Sequence, residues 1–312
     1  MSRYIAATLL AASTAMLTAA PALSQDSSGQ SSTRQVMGRV LDAILGPEAK
    51  EEPQPPAQVQ EAENVPVVLS MQEVLADKRR DGDRARDRYR NPAQTLEFFK
   101  VERGMAVADY IPGSGYYTRV LAPFLGEGGS YVALYPNIEL SPFVSFRNYL
   151  RPQPAKFESD QVGWKLVGAP VKIIAPGQVA ETDMGTLDRV LIFREMHNLQ
   201  RRGLMHHELG QIRGLLKADG MLGIVQHRAK ADAPYSYSDG SKGYMREQDV
   251  IDLVEAHGFE LVARSEINAN PKDPANHPGG VWELPPSLSS QREELKSIGE
   301  SDRMTLLFKK RP

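Results

Sequence analysis

Val107-Ala-Asp-Tyr-Ile-Pro-Gly-Ser-Gly-Tyr-Tyr-Thr118 is the stretch on which the fold turns. An apolar run ends in an acid, a Pro-Gly-x-Gly turn follows, and a helix is predicted over Tyr116 to Leu125. In such a strand, glycine loop and helix start, backbone N–H groups converge on a polar or anionic ligand, and glycines let it come close. Gly113 and Gly115 are the candidate close-approach positions. The alternative reading of the same glycines is a tight strand-to-helix turn with no ligand.

Outward from this loop, short apolar strands alternate with helices from about Val67 onward. Predicted strands are Ala106 to Tyr110, Ser130 to Tyr135, Lys172 to Ala175, Arg189 to Phe193, Met221 to His227, Phe259 to Ser265 and Met304 to Lys309. One helix carries Met205, Leu209, Ile212, Leu215 and Leu216 on one face. Another starts at Arg246, turns Val250, Leu253 and Val254 inward, and stops at Gly258. Asn91 reads as the N-cap of a helix whose first position is Pro92. Strands alternating with helices predict a mostly parallel, doubly wound α/β sheet. The last connection, Glu266 to Asp302, is rich in Pro and Asn and has no helical period, so the final strand is expected to run antiparallel.

The chain has 312 residues, a formal net charge of −2 and 41% hydrophobic residues, enough for a substantial core. The charge balance argues against a nucleic-acid partner. There is no cysteine, which excludes disulfides, thiolate metal sites, a Cys nucleophile and a lipid-anchored Cys. Met1-Ser-Arg-Tyr4 carries a positive charge, Ile5 to Ala20 is almost wholly apolar, and Ala22-Leu-Ser24 is a small-x-small site. Residues 1–24 read as a secretory signal peptide cut after Ser24, so the protein is expected to be exported, periplasmic or extracellular, with no membrane attachment after cleavage. The run is shorter than the roughly 20 apolar residues of a span. Residues 25–66, rich in Ser, Gln, Glu, Pro and Ala, read as a flexible tether. Val36-Met37, Val40-Leu41 and Ile44-Leu45 interrupt it with a short amphipathic helix that Gly46-Pro47 ends. Residues 67–312 are the expected folded domain.

Four segments, in order and spacing, carry a resemblance. They are Arg84-Ala-Arg-Asp-Arg-Tyr-Arg-Asn-Pro92, the loop Val107 to Thr118, Arg189-Val-Leu-Ile-Phe-Arg-Glu-Met-His-Asn198, and Asp302-Arg-Met-Thr-Leu-Leu-Phe308. Over roughly Leu75 to Lys310 the chain resembles the class I S-adenosylmethionine-dependent methyltransferases, and within them a bacterial group of predicted methyltransferases with signal peptides. The resemblance implies a Rossmann-like seven-stranded sheet in the order 3-2-1-4-5-7-6, with strand 7 alone antiparallel. It implies S-adenosylmethionine as cofactor, lying across the C-terminal ends of the first strands at the switch point of the sheet, and a small-molecule methyl acceptor. Asp109 then faces the methionine ammonium, and Gly113 and Gly115 are the close-approach glycines. Tyr135 takes the place of the acid that holds the ribose, about twenty residues past the glycines. The chain departs from the family at three points. Ile111 replaces the first loop glycine, Tyr135-Pro136 replaces the ribose acid, and Ala175-Pro176 replaces the polar adenine contact. A phenol makes one of the two bonds that a carboxylate accepts; Asn137 or Glu139 are the available substitutes.

Arg194-Glu-Met-His-Asn198 follows the fourth strand, and strand C-termini face the ligand crevice in such sheets. His197 is the candidate general base. Asn198 is the candidate for orienting the substrate, and Arg194 for holding a carboxylate or phosphate bidentately. The competing reading has His197 bonding backbone and Arg194 paired with Glu195 at the surface. Asp77 to Arg90 contains seven Lys or Arg and four Asp. It reads either as a solvated, salt-bridged face or as a lid in which Arg84, Arg86 or Arg90 meets an anion, with Tyr89, Tyr116 and Tyr117 at the same mouth. His206, His207 and Glu208 are expected to point away from the apolar face of their helix, and no metal site is predicted.

Ser114, Asp188 and His197 follow the chain order of an α/β-hydrolase triad. The nucleophile elbow, however, requires small residues two positions either side of the Ser, and Pro112 and Tyr116 stand there. A dehydrogenase is disfavoured by Thr118 at the third fingerprint glycine. The leading expectation is methyl transfer to a small molecule, and the alternative is non-catalytic binding of a small ligand on the same scaffold.

Overall fold

Val107 to Tyr110 is buried on both faces, Asp109 included, because the strand it forms is covered on both sides, as parallel strands are. The computed structural model describes residues 68–311; the leader and tether expected over 1–66 lie outside them. The seven strands are β1 (Ala106–Tyr110), β2 (Ser130–Leu134), β3 (Val171–Ile174), β4 (Leu187–Phe193), β5 (Leu216–His227), β6 (Phe259–Ser265) and β7 (Arg303–Lys310). They form one sheet in the order β3-β2-β1-β4-β5-β7-β6. β1 runs parallel to β2 and β4, and β7 runs antiparallel to β5 and β6. This is the Rossmann-like class I methyltransferase fold expected from the sequence. The topology reverses between β1 and β4, which places a crevice at their C-terminal ends.

The helices are α1 (Met71–Ala76), α2 (Asp87–Arg90), α3 (Pro92–Phe98), α4 (Thr118–Leu125), α5 (Val144–Leu150), α6 (Gln153–Trp164), α7 (Met196–Arg201), α8 (Met205–Leu215), α9 (Tyr235–Ser238) and α10 (Glu247–Ala256). A capping box opens α1: the Glu73 N–H donates to Ser70 Oγ at 3.2 Å, and the Ser70 N–H donates to the Glu73 carboxylate at 2.6 Å. Helix α5 is short and buries Phe146 and Leu150, whereas α6 has no strong apolar period, burying Pro154 and Phe157 and leaving Val162 exposed. Among the described residues no helix is long and apolar enough to cross a membrane.

Two local expectations are corrected. Asn91 does not cap α3 with its side chain. Its φ of 39° is left-handed, it ends α2, and its amide donates to the Ile267 carbonyl at 2.6 Å. The charged run Asp77 to Arg90 is not a solvated face either, because Arg80 and Arg90 are buried. Arg80 forks onto Asp87 through bonds of 3.0 and 2.7 Å. Arg86 and Arg90 both reach Glu300, at 3.1 and 3.2 Å, from the far end of the sequence. Arg84 stays at the surface, bonded to Asp81 and to the Ala76 carbonyl. Mixed charge in sequence cannot distinguish mutual surface pairing from long-range buried pairing, since the partner of Arg90 lies 210 positions away.

Candidate functional site

Asp109 sits one residue from the end of β1 and is 3% exposed. Its carboxylate receives the Tyr131 hydroxyl at 3.1 Å, and that hydroxyl lies 2.8 Å from Thr118 Oγ1 on α4. Burial pushes the Asp109 carboxyl up to about 7, against the opposing pull of Tyr131 and of Arg194. Beyond it the chain enters the glycine loop. Ile111 has φ of 54°, so the loop keeps a left-handed backbone at a position where this chain has a β-branched residue. That conformation is unfavourable for Ile and persists only because its surroundings enforce it. Its N–H donates to the Leu134 carbonyl at 2.9 Å, and Arg119 clamps the loop by donating to the Ser114 carbonyl and to Asp83.

The two loop glycines differ. Gly113, at φ 58°, is exposed and has open space where a side chain would go. Gly115, at φ 77°, is buried, and a Cβ there would lie 2.2 Å from the Trp164 ring. Trp164 ends α6, packs edge-on against Phe157 at 5.4 Å, and lies under the Arg119 guanidinium at 4.7 Å. Gly115 therefore gives its room to the protein's own indole. Tyr135 is buried, with its hydroxyl 3.5 Å from the Gln153 carbonyl. Of the residues after β2, Asn137 donates its backbone N–H to Glu208, and Glu139 pairs with Arg151 at 2.8 Å. Glu139 and Arg151, with Ile138, Ile173, Ala175 and Pro176, line a cleft of about 480 Å³ past the ends of β2 and β3.

At the end of β4, Phe193 stacks on Tyr117 with centroids 3.5 Å apart, and Arg194 follows with φ of 66°. Arg194, Glu195 and His227 are half-buried at the C-terminal ends of β4 and β5. Arg194 and Glu195 are not a surface pair. Glu195 accepts from the Asn198 amide at 2.8 Å, and burial raises its carboxyl to about 7. Burial lowers Arg194 to about 10, with Arg90 adding to the effect.

His197 is buried, with Nδ1 3.4 to 3.5 Å from the Gln226 side-chain amide, itself fixed by donation to the Gly243 carbonyl at 2.7 Å. Desolvation lowers His197 to about 4, and Arg201, Arg194 and Arg202 act in the same direction. The imidazole is therefore neutral near pH 7. His227, the last residue of β5, lies 5.8 Å from it ring to ring and contacts Ser301 Oγ at 2.5 Å. Trp282, from the excursion between β6 and β7, stands 6.0 Å from His197.

Asp109, Arg194 and His197 thus converge at the C-terminal ends of β1 and β4, while Asn198 is engaged by Glu195. Tyr131, Glu195, His227, Trp164 and Trp282 were not singled out from the sequence. Glu195 and His227 had a usable signal, because each stands at a strand C-terminus that faces the crevice.

A hydrolase triad is excluded by position. Asp188 receives the Ala106 N–H at 2.8 Å and pairs with Lys217 at 2.7 Å, at the N-terminal edge of β1, whereas Ser114 and His197 follow C-terminal ends. The outward placement expected for Glu208 is corrected too. Glu208 is wholly buried, accepting from the Tyr110 hydroxyl at 2.9 Å and the Asn137 N–H at 3.0 Å. His206 pairs with His257 at 3.2 Å, and among the described residues no three ligand side chains converge on a metal position.

No protein-family model matches the chain, and no curated protein matches it by sequence. Solved structures are similar in fold. An S-adenosylmethionine-dependent methyltransferase from Aquifex aeolicus is 18% identical, over 64% of this chain and 94% of its own, with a TM-score of 0.41. The pyocyanin biosynthetic protein PhzM is 14% identical over 78% of this chain and 62% of its own, with a TM-score of 0.42. The [4+2]-cyclase SpnF is 13% identical over 71% and 80%, with a TM-score of 0.44.

Proposed function

We propose that this domain binds S-adenosylmethionine and transfers its methyl group to a small molecule. The observation that carries the reading is Asp109, a carboxyl sealed beneath the glycine loop with one hydrogen-bond donor and a strongly raised pKa. A ligand ammonium at this point would add its counter-charge to that of Arg194. Asp109 would hold the ammonium, and Gly113 leaves space for the ligand beside it. The cleft past β2 and β3, apolar at Ile138, Ile173, Ala175 and Pro176 with Glu139 at its edge, suits a base and its ribose. When bound, the cofactor supplies an electrophilic methyl carbon.

The chain's own task is alignment and proton handling. Tyr117, stacked on Phe193, ties the glycine loop to the end of β4. His197, kept neutral and with Nδ1 turned to Gln226, offers Nε2 to a proton leaving the acceptor. Arg194 and Asn198 stand beside it as positioning groups. Residues 1–24 are proposed to direct export, as in the bacterial group that the chain resembles; the intact mass of the secreted protein tests cleavage after Ser24.

A second reading, ligand binding without chemistry, is favoured by Trp164 over Gly115 and by Tyr135-Pro136 where a ribose carboxylate is expected. Calorimetry with S-adenosylmethionine and S-adenosylhomocysteine separates the two. The methyltransferase reading expects micromolar binding that Asp109→Asn abolishes. Absence of binding at millimolar ligand rejects it.

A further inference from the structure

Around the ends of β4 and β5 several arginines share few carboxylates. Glu300 alone serves Arg86, Arg90 and Arg303, at 3.1, 3.2 and 3.1 Å. Arg303 faces His227 across the β5–β7 pairing and is otherwise held by the Ser301 and Tyr89 carbonyls. Arg90 is fixed over the Tyr116 ring at 4.5 Å, and its Nη2 is buried with no hydrogen-bond partner among the described residues. Tyr116 in turn packs edge-on against Tyr117, and Tyr117 stacks on Phe193, the residue before Arg194. This aromatic row links Arg90 to Arg194. The Arg194 side chain has no hydrogen-bond or ion-pair partner among the described residues, and the adjacent acid in the chain, Glu195, is taken by Asn198. Arg194 is half-buried, while the wholly buried Arg90 Nη2, left without a partner, is costly unless an anion joins it.

We infer that Arg194 and Arg90 form a substrate subsite for an oxyanion, a carboxylate or a phosphate, beside His197. The inference rests on the proposed methyl transfer and adds the acceptor's class: a small molecule with an anionic group that docks on Arg194 while its nucleophile faces His197. The unpartnered Arg194 fork and the free Arg90 Nη2 favour a planar or tetrahedral oxyanion over a neutral acceptor, because an oxyanion accepts several N–H donors at once. An anion placed there also offsets the arginine field on His197 and makes that imidazole a better base.

The test is calorimetry on the full chain at constant ionic strength, titrating inorganic phosphate and acetate separately. Saturable binding of either is expected. It should weaken about tenfold or more in Arg194→Gln and in Arg90→Lys, whose charge is kept but whose fork is lost. Exposed Arg88, which lies over Tyr89, is the control, and Arg88→Gln should bind as wild type. Saturation by phosphate alone assigns a phosphorylated acceptor, and saturation by acetate alone a carboxylic acid. No saturable binding of either anion, or binding unchanged in a folded Arg194→Gln, overturns the subsite. S-adenosylmethionine titrated into Arg194→Gln separates the two readings: if it still binds, a failed anion titration counts against the subsite alone.

Discussion

Trp164 lies with its indole directly over Gly115, so that a Cβ at Gly115 would fall 2.2 Å from Cη2. The loop that a sequence reader assigns to a ligand is thus shared between an open glycine, Gly113, and one already covered by the protein. Since Arg119 holds both the indole and the Ser114 carbonyl, the cover and the loop form one packed unit.

Gly115→Ala should destabilise the domain by about 2–4 kcal/mol, combining a disfavoured φ with a clash against a rigid ring. In a Trp164→Ala background the clash disappears, and only about 1 kcal/mol of backbone cost should remain. Urea unfolding of the four variants measures this. A cost undiminished by Trp164→Ala would show that the indole does not occupy this space. Trp164→Ala alone should tighten S-adenosylmethionine binding if the indole must yield to the ligand.

Stability should fall as pH rises through the window between the free and buried values of Asp109. The native carboxyl holds its proton up to about 7, while the unfolded chain releases it near the ordinary aspartate value of 3.8. The native state therefore binds the extra proton between those values, and raising pH across them costs stability. Glu195, raised to about 7, adds to the slope. His197 opposes it in the lower part of the window: its native pKa of about 4 means that stability is lost as pH falls from 6.5. Asp109→Asn should exceed wild type by about 2–4 kcal/mol at pH 8 and by less at pH 5, as followed by thermal melting. By the same linkage, an ammonium ligand should bind more tightly as pH rises towards 7 and no more tightly above it.

Glu300→Gln should cost about 3–5 kcal/mol, because it strips the shared counter-ion from buried Arg90 and Arg303. Arg86→Gln should cost about 1 kcal/mol or less, since that arginine is partly solvated. Denaturant titration that finds the two substitutions equal would refute a buried role for Glu300.

Tyr110→Phe and Glu208→Gln test the link between β1 and α8. Either change should cost about 1–2 kcal/mol, and the double variant less than the sum, because both remove the same buried bond. Strict additivity in a double-mutant cycle would mean that the 2.9 Å contact contributes nothing.

Period and punctuation placed all seven strands, since a buried parallel strand is a short apolar run bounded by turn residues. The helix-free stretch after β6 likewise announced the antiparallel β7. Helices α5 and α6 escaped, because α5 is short and α6 has no strong apolar period. The buried side of Glu208 was legible, since it sits three residues after Met205 and one before Leu209 on the same helical face. Its charge made solvent the natural assignment, and only Tyr110 and Asn137, from other elements, make burial affordable.

By itself, the order of residues determined the strands and the turn at Gly113, because these depend on neighbours within a few positions, while the strand order and its reversal beside Asp109 were implied by the family resemblance. Tertiary structure alone decided that Trp164 would take the space over Gly115, that His227 would join His197, and that Glu300 would answer for three arginines more than 200 positions earlier or beside it in β7. Those outcomes depend on which side chains meet across the fold, where burial rather than local propensity sets the energy of a charge.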